Sequence, residues 1–429
     1  MTKTFAVPRG TSDILPDVIP IWEALESKAR KICKSYGYRE IRTPIYEDIN
    51  LFKRSLGQTS DVVNKQLLEL SSNKEDEGYA LRPEGTAAVV RSYIENSLDG
   101  KESISKLFYL GPMFRGERPQ KGRLRQFHQI GVEAIGPNST SPLLDAELIA
   151  LAMNLLKELG VKEPKLKINS LGSKEDKANI SLWLRGEFAK HKSELCEDCQ
   201  ARFERNVFRV LDCKKEGCRK IVALVVKNLP LSVDSQRYFD QVRSALTSIG
   251  VVFEVAPHLV RGLDYYTHTV FEFTAESGLG SQDAVGAGGR YNGLVHELGG
   301  SEKIDYGAIG FALGIERILL ASRGGSLCPS DNKVVYLLDA FVIAMKEEYQ
   351  PQAFLLLQEL RQAGISAAMN FAGGSMKSQM GKAAKAQTRF TIILGDDEIQ
   401  NQTVALKDME ASTQESVAIN EIVNVLKNR

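Results

Sequence analysis

The stretch from Leu107 to Gly136 concentrates side chains that could bind an anionic ligand. It reads LFYLGPMFRGERPQKGRLRQFHQIGVEAIG, and its two apolar or alternating ends predict the two strands of a hairpin. Alternate side chains of a strand point the same way, so Phe127, Gln129 and Glu133 share one face. An aromatic ring, an amide and a carboxylate in a row suit a surface that stacks a base and holds a polar ligand.

The loop between these two strands is strongly basic. One acid, Glu117, stands among five cations: Arg115, Arg118, Lys121, Arg123 and Arg125. Such a density of cations favours phosphate as a ligand. The alternative is a solvated hairpin whose charges face water, and the polar face of the neighbouring strand argues against it.

A second polar stretch, HLVRGLDYYTHTVFEF, covers residues 258–273. Arg261 lies there in a tight Arg-Gly turn, ahead of Tyr265 and Tyr266 and a predicted strand. A turn arginine that forms a salt bridge with Asp264 is the alternative interpretation. The arginine is therefore a candidate anion ligand whose setting has to be tested.

Two glycine-containing segments follow. GAGGRYNGL, residues 286–294, lets the backbone approach a ligand closely, but it fails the dinucleotide fingerprint. AIGFALGIERILL, residues 308–320, predicts a strand, a turn and a helix with Arg317 in its first turns, where an anion would be favoured. Pairing of Arg317 with Glu316 or solvent is the alternative. The chain contains no GK[ST] loop, which excludes a P-loop nucleotide site.

Glu84 and Thr86 precede a predicted helix in YALRPEGTAAVVRSYI. The pattern predicts that Thr86 caps a helix beginning at Ala87, which is a purely structural role. A carboxylate at this place is also apt for binding an ammonium group. Both roles stay open at the level of the sequence.

Four of the six cysteines form a C-x2-C and a C-x4-C pair: Cys196, Cys199, Cys213 and Cys218. This spacing suits tetrahedral zinc. Cysteine pairs also occur as small buried apolar residues, so packing remains the alternative. A catalytic role is not expected for them.

The elements that must position these residues follow from apolar spacing. A helix is predicted over residues 18–36, then a strand YREIRTPIYED in which Pro44 implies an edge, an end or a bulge. An amphipathic helix is predicted from Leu143 to Leu159. Residues 173–258 are rich in predicted helix, residues 322–332 read as a linker, and the remainder alternates strand and helix.

Composition is that of an ordinary globular protein. The 429 residues allow about three domains, and a formal net charge of +1 gives no overall sign of nucleic-acid binding. A local basic stripe does occur in the C-terminal part: Lys377, Lys382, Lys385 and Arg389. Six cysteines and no apolar leader after Met1 predict a cytoplasmic protein, and no membrane segment is expected.

FRGERPQKGRLRQFHQIGVE resembles motif 2 of class II aminoacyl-tRNA synthetases, in the form used by histidyl-tRNA synthetases. The helix and strand around Pro44 resemble motif 1, residues 258–273 and 286–294 resemble the two histidine signatures, and residues 308–320 resemble motif 3. The resemblance implies an α+β catalytic domain of antiparallel sheet with helices, a helical insertion, and a C-terminal α/β anticodon-binding domain. The expected boundaries are 1–172 and 259–325 for the catalytic core, 173–258 for the insertion, and 333–429 for the anticodon-binding domain.

The resemblance also implies an activity and its residues. A histidine–tRNA ligase uses ATP and Mg²⁺ to form histidyl-adenylate, then charges tRNA(His), and is expected to be a homodimer. Arg115 and Arg261 would contact the reacting α-phosphate. The other implied roles are binding of histidine by Glu84, Thr86, Gln129, Glu133, Tyr265, Tyr266 and Tyr291, of ATP by Phe127 and Arg317, and of the tRNA acceptor end by Arg118, Gln120 and Arg123.

Two rival functions remain at this level. A histidine-sensing paralogue, such as the regulatory subunit of ATP phosphoribosyltransferase, keeps a similar core, but it lacks the C-terminal domain and degrades the Arg261 signature. A ligase of another amino acid in the same subclass is opposed by residues 258–273 and 286–294. ATP–pyrophosphate exchange with each amino acid separates the three.

Overall fold

The computed structural model describes residues 5–57, 60, 62–71, 78–276, 279, 283–322 and 337–429. The chain divides into two compact units, Met1–Ser330 and Asp331–Arg429. Most of the predicted linker, residues 323–332, lies outside the described residues, as does Cys328. None of the described helices is both long and apolar enough to cross a membrane.

The first unit contains two sheets. Its described strands are β1 Arg39–Glu40, β2 Tyr46–Asp48, β3 Leu68–Leu70, β4 Tyr79–Leu81, β5 Ser105–Phe114, β6 Gln126–Gly136, β7 Lys165–Ser170, β8 Glu254–Val255, β9 Thr267–Thr274, β10 Ala284–Arg290 and β11 Gly307–Gly314. The large sheet has the order β1-β5-β6-β11-β10-β9-β7-β8, and the small sheet the order β2-β4-β3. The six inner strands of the large sheet are antiparallel, as expected, and the two edge strands pair in parallel.

Helices cover the large sheet and extend beyond it. They are α1 Ile19–Ser35, α2 Ile49–Leu56, α3 Thr86–Glu95, α4 Pro142–Glu158, α5 Lys174–Ala189, α6 Glu197–Arg205, α7 Glu216–Val225, α8 Val233–Ser248, α9 Leu294–Glu297 and α10 Ile315–Ala321. Against one face of β6, Ile130, Val132 and Ala134 join a core that includes Leu25 of α1 and Leu148 of α4. The opposite face of β6 is left to the polar residues of the site.

The single strand predicted around Pro44 is wrong, because the chain forms two strands in two sheets, whereas the strand end that Pro44 implied is present. β1 lies at the edge of the large sheet and β2 belongs to the small sheet. Proline lacks the N–H that a ladder needs, so the chain leaves one sheet before it joins the other. The buried guanidinium of Arg82 secures the crossing by donating to the carbonyl oxygens of Thr43 at 3.1 Å and Pro44 at 3.3 Å.

The range 173–258, predicted as an insertion, spans two hydrophobic cores. Residues between Ile180 and Val226 form a small core of their own. Phe239, Val242 and Leu246 of α8 instead pack into the main core with α4. We therefore propose that the inserted domain ends before α8.

The second unit is a mixed five-stranded sheet with flanking helices. Its elements are β12 Leu338–Ala344, α11 Gln350–Gln362, β13 Ala367–Met369, α12 Met376–Lys385, β14 Thr388–Leu394, α13 Asp396–Asn401, β15 Thr403–Asp408, β16 Gln414–Ala418 and α14 Ile422–Lys427. The order is β13-β12-β14-β15-β16, parallel over the first three strands and antiparallel over the last two. The expected C-terminal α/β domain is confirmed.

Candidate active site

A cavity of about 920 Å³ lies over the polar face of the large sheet. Its volume is in the range of small-molecule sites. The predicted site residues that line it are Glu84, Thr86, Arg115, Arg123, Phe127, Gln129, Arg261, Tyr265, Tyr266 and Arg317. Side chains that are far apart in the sequence therefore converge on one space.

A second cavity, of about 1110 Å³, lies beside α8 and the start of α4. Its charged side chains are engaged on their own helix: Arg237 pairs with Asp234 at 3.4 Å, and Asp240 with Arg243 at 3.0 Å. None of its described lining residues is a predicted site residue. The predicted site residues that line a cavity are therefore found in the cavity over β6.

The alternation predicted for β6 is present in the structure. Phe127 and Gln129 line the cavity, while Ile130 and Val132 are buried in the helical core on the other side. The Oε1 atom of Gln129 is buried and accepts no hydrogen bond from the residues that the structure describes. A buried acceptor without a donor is costly, so this amide is suited to a ligand that donates to it.

Glu133 is buried behind the cavity wall, at 1% exposure. Its carboxylate accepts hydrogen bonds from the hydroxyls of Thr86 at 2.8 Å, Tyr291 at 2.5 Å and Tyr109 at 3.4 Å. Burial raises the pKa of Glu133 to about 8, although the three hydroxyl donors oppose the shift. Glu133 therefore holds its proton more tightly than an exposed glutamate does.

The helix cap predicted for Thr86 is wrong. α3 begins at Thr86 itself, and the cap is the carboxylate of Glu84, which accepts from the N–H groups of Thr86 at 2.6 Å and Ala87 at 2.9 Å. A carboxylate there is favoured by the positive end of the helix dipole. Thr86 is thereby left to donate its hydroxyl to Glu133, which joins the two predicted histidine ligands.

Glycines permit this close packing, and sequence reasoning missed the tyrosine they surround. A Cβ on Gly131 or Gly85 would come within 1.9 or 2.2 Å of the Tyr109 ring, and a Cβ on Gly310 would lie 1.7 Å from Glu133 Oε2. Tyr109 pairs with Gly131 across the β5–β6 ladder, and Gly310 pairs with Glu133 across β6–β11. Tyr109 shares the cavity face of its hairpin, which alternation on β5 could have indicated.

Three predicted tyrosines form an aromatic wall. The ring centroids of Tyr265 and Tyr266 are 4.6 Å apart, and those of Tyr265 and Tyr291 are 5.6 Å apart. Tyr265 and Tyr266 line the cavity, whereas Tyr291 is buried with its hydroxyl on Glu133. Burial raises the pKa of Tyr266 to about 12, so the phenols remain neutral donors.

The three predicted phosphate-binding arginines are held by different partners. Arg115 donates to the carbonyl of Pro83 at 2.9 Å, and its guanidinium carbon lies 5.2 Å from the centre of the Phe127 ring. Arg261 donates to Glu272 at 2.6 Å. Arg317 donates to the carbonyl of Gly122 at 3.0 Å.

Burial lowers the pKa of Arg115 and of Arg317, a sign that both cations are partly desolvated. Arg317 also draws the hairpin loop towards the cavity through Gly122. Glu316, the acid named above as the alternative partner of Arg317, instead contacts His128. Its carboxylate accepts from the backbone N–H of His128 at 3.0 Å and lies 2.9 Å from the Nδ1 atom of the same residue. Positively charged groups are thus concentrated where a polyphosphate could enter.

The hairpin loop carries the residues predicted for the acceptor end. A pair of backbone hydrogen bonds of 2.9 and 3.0 Å joins Gln120 and Arg123 and closes the tip. Arg118 and Gln120 are exposed, and Arg123 lines the cavity while its guanidinium lies 3.5 Å from Glu117. The loop therefore borders the cavity through Gly122 and Arg123, and Arg118, Lys121 and Arg123 are exposed.

Arg290, inside the GAGGR segment, has a structural role that the sequence did not reveal. It is fully buried and forms an ion pair of 2.5 Å with Asp145 on α4. The carbonyls of Ser139 at 2.6 Å and Ser141 at 3.2 Å also accept from it. A buried pair of this kind ties β10 to the helical layer, and loss of one partner would leave an uncompensated charge.

Sequence comparisons agree on one family. The sequence model described as histidyl-tRNA synthetase matches residues 10–175 and 190–318, and that of the anticodon-binding domain matches residues 339–429. A histidine–tRNA ligase of Desulforamulus reducens is 44% identical over 424 residues, which cover 98% of this chain and 99% of that protein. One of Geobacillus sp. is 44% identical over 430 residues, 99% of each chain.

Solved structures give the same fold. The apo histidyl-tRNA synthetase of S. aureus has a TM-score of 0.79 and 36% identity, covering 99% of this chain and 100% of its own. A protein of Bacillus halodurans, described as an ATP phosphoribosyltransferase regulatory subunit/histidyl-tRNA synthetase, has a TM-score of 0.61 and 20% identity, covering 92% of this chain and all of its own. The second likeness shows the fold alone, so the family assignment comes from the full-length sequence matches.

Proposed function

Because the chain belongs to the histidyl-tRNA synthetase family, we propose that the cavity over β6 is where histidine reacts with ATP. The reaction of the protein joins histidine and ATP into histidyl-adenylate and pyrophosphate, then transfers histidine to the 3′ end of tRNA(His). The observation that carries the site proposal is the convergence of ten predicted side chains on one cavity. Its individual residue roles are argued below.

The first step requires charge compensation rather than a base. The carboxylate of histidine is already ionised at neutral pH and must approach an anionic phosphate. We assign Arg115 and Arg261 to the α-phosphate, where their guanidinium groups offset the charge that develops as the bond forms. Arg317 is assigned to the γ-phosphate, which it would hold for departure with pyrophosphate.

Phe127 is the proposed platform for adenine. Its ring lines the cavity beside Arg115, and aromatic rings stack on any base. Stacking would set the direction of the triphosphate towards the arginines. The hairpin therefore fixes both ends of the nucleotide.

The histidine pocket is proposed to run from Glu84 to Glu133. Glu84 lines the cavity, and its carboxylate would accept from the α-ammonium alongside the helix N–H groups. Thr86 donates to Glu133 and keeps its own lone pairs for the ammonium. Gln129 supplies a buried acceptor that receives no hydrogen bond from the described part of the chain, and the tyrosine wall would enclose the imidazole ring.

We propose that Glu133 recognises the imidazole of the substrate histidine through a hydrogen bond. Its carboxyl already gathers the hydroxyls of Thr86, Tyr109 and Tyr291. An imidazole N–H that donates to it would join this polar network, whereas an apolar side chain would bring no donor to it. Polar networks of this kind discriminate strongly against substrates that lack the matching group.

Magnesium is the proposed companion of ATP. The carboxylates of Glu117, Glu272 and Asp283 line the cavity among the arginines, and carboxylate oxygens are the ligands that Mg²⁺ prefers. The described carboxylates do not form a compact metal-binding group, so each of the three is proposed as a single ligand that would complement the phosphate oxygens. When bound, Mg²⁺ neutralises phosphate charge.

The tRNA would be held at two places. Arg118, Gln120 and Arg123 on the hairpin loop are proposed to meet the acceptor end in the second step. In the second unit, Lys377, Lys382 and Lys385 are exposed along α12, and Arg389 follows at the start of β14. We propose that this stripe contacts the anticodon arm.

A homodimer and a cytoplasmic location complete the proposal. Ile45 and Tyr46, in the segment that resembles motif 1, are 46% and 50% exposed, which favours burial against a second copy. Light scattering should give twice the chain mass, and Ile45→Asp should reduce it. The cytoplasm is inferred from the tRNA substrate and from the described cysteines, all of which are free thiols.

The specificity of the cavity is tested by ATP–pyrophosphate exchange with each amino acid in turn. We expect exchange with histidine and none above background with the others. Exchange with a different amino acid would refute the histidine pocket. No exchange with any amino acid would favour the histidine-sensing alternative.

A further inference from the structure

The structure brings together the four cysteines that the sequence left open between zinc and packing. Their Sγ atoms all lie within 4.8 Å of one another, and the Sγ atoms of Cys196 and Cys213 are 3.9 Å apart. Three of the four side chains are buried and Cys196 is partly exposed. We propose that Cys196, Cys199, Cys213 and Cys218 bind one structural zinc ion.

The geometry is close to that of a zinc–thiolate site. Zn–S bonds of about 2.3 Å in a tetrahedron place the sulfurs about 3.8 Å apart. The observed separations of up to 4.8 Å need a contraction of roughly 1 Å at most, which side-chain rotation can supply. Packing alone gives no reason for four thiols to converge on one point.

The surroundings also suit thiolates. Cys196 and Cys199 stand at the beginning of α6, and Cys218 lies in the first turn of α7, so two positive helix ends face the cluster. The backbone N–H of Cys196 donates to the Sγ of Cys218 at 3.3 Å. Charged tetrathiolate centres are commonly supported by such N–H donors.

The position of the cluster explains what the ion would stabilise. The core between Ile180 and Val226 belongs to a domain of roughly sixty residues, a size at which metal or disulfide cross-links often supplement the apolar core. Cys199, Cys213 and Cys218 are members of that core. A zinc ion would cross-link its helices directly.

The same cross-link would hold one wall of the active-site cavity. Arg202, Arg209 and Cys213 line that cavity from the inserted domain. Between them, Asn206 donates to Asp264 at 3.2 Å, next to Tyr265 of the histidine signature. The ion would therefore keep this wall in place without contacting substrate.

Metal analysis of the full-length protein tests the proposal. Protein produced in zinc-supplemented medium and purified without chelators should contain about one zinc per chain. Cys199→Ser should lose it, while Cys33→Ser, which removes a buried thiol elsewhere, should keep it. Cobalt added after zinc removal should give the intense absorption of tetrahedral cobalt thiolates.

A milder variant guards against misfolding. Cys196→Ser alters the partly exposed ligand and should lower the affinity for zinc at least about tenfold in competition with a chromophoric chelator. Thermal unfolding of the parent chain should begin at lower temperature after chelation. The proposal would be overturned by a metal-free protein that gives no cobalt signal. It would also be overturned if Cys196→Ser and Cys199→Ser bound zinc as the parent chain does, or if the four cysteines formed disulfides.

Discussion

Glu133 is a carboxyl group whose ordinary charge the fold suppresses. Its pKa of about 8, against about 4.5 when exposed, means that the folded chain holds a proton there that the unfolded chain releases. Folding stability contributed by this group is therefore complete below pH 4.5 and is lost as pH rises towards 8. Glu133→Gln, which cannot ionise, removes that dependence.

We predict that unfolding free energies of the parent chain fall between pH 6 and 8.5 more than those of Glu133→Gln. The difference should be at most about 3 kcal/mol, from roughly two pH units of proton linkage. Urea unfolding followed by the fluorescence of Trp22 and Trp183, which both lie in the first unit, measures it. Equal pH dependence in the two proteins would contradict a buried, protonated Glu133.

The same substitution tests substrate recognition. If Glu133 accepts from the imidazole, Glu133→Gln should raise KM for histidine by about tenfold or more and change KM for ATP less. Glu147→Gln, which removes a carboxylate paired with Lys106 at 2.6 Å outside the cavity, should behave like the parent chain. A larger effect on ATP than on histidine would remove Glu133 from the histidine pocket.

On the strand pair β6–β11, the space for the Glu133 carboxylate exists because the residue opposite it has no side chain. Gly310 lies opposite Glu133, and any Cβ there would overlap the carboxylate. We expect Gly310→Ala to cost about 1 to 3 kcal/mol of stability and to weaken histidine binding, because the carboxylate or the strand must move.

Gly186→Ala is the matched control for that prediction. Gly186 lies within α5, and an added Cβ would meet nothing within 4 Å. Alanine is a better helix former than glycine, so this variant should be neutral or slightly more stable. Equal stability and histidine affinity in Gly310→Ala and the parent chain would show that the site tolerates a side chain there.

Element-scale features were predictable from the sequence to different degrees. The β6 side chains that point to the cavity were predicted correctly, because successive residues of a strand point to opposite faces. The interruption at Pro44 was predicted, but the change of sheet was not, because it depends on which strands the chain pairs with next. The Thr86 cap was mispredicted, because it depends on how far the Glu84 carboxylate reaches. Alternation on β5 could have placed Tyr109 on the cavity face, but its packing against Gly131 depends on the β5–β6 register.

We predict that adenylate formation requires only the first compact unit, whereas efficient charging of tRNA(His) requires both units. Every residue assigned to adenylate formation lies in the first unit, and the basic stripe of α12 lies in the second. A chain ending at Ser322 should retain ATP–pyrophosphate exchange but charge tRNA(His) at least about tenfold more slowly. Charging at the parent rate would argue against an anticodon role for the second unit.

The sequence indicated the functional residues but not the side chains that orient them. Motifs in the sequence specified which side chains belong together, and the structure supplied their partners, such as Glu272 for Arg261. The partner matters because it sets the orientation of the guanidinium before substrate arrives. A sequence cannot state that pairing, since the contact between Arg261 and Glu272 of β9 depends on how the segment before β9 folds against the strand.

The most direct test of the account is single-turnover formation of histidyl-adenylate by Arg261→Ala. Loss of a guanidinium that stabilises the transition state should slow this step about a hundredfold, or roughly 3 kcal/mol, and Arg261→Lys should also be impaired because it loses the planar fork. Transfer from preformed adenylate to tRNA should change less, and Arg243→Ala on α8 should match the parent chain. Adenylate formation at the parent rate in Arg261→Ala would show that Arg261 only stabilises a turn.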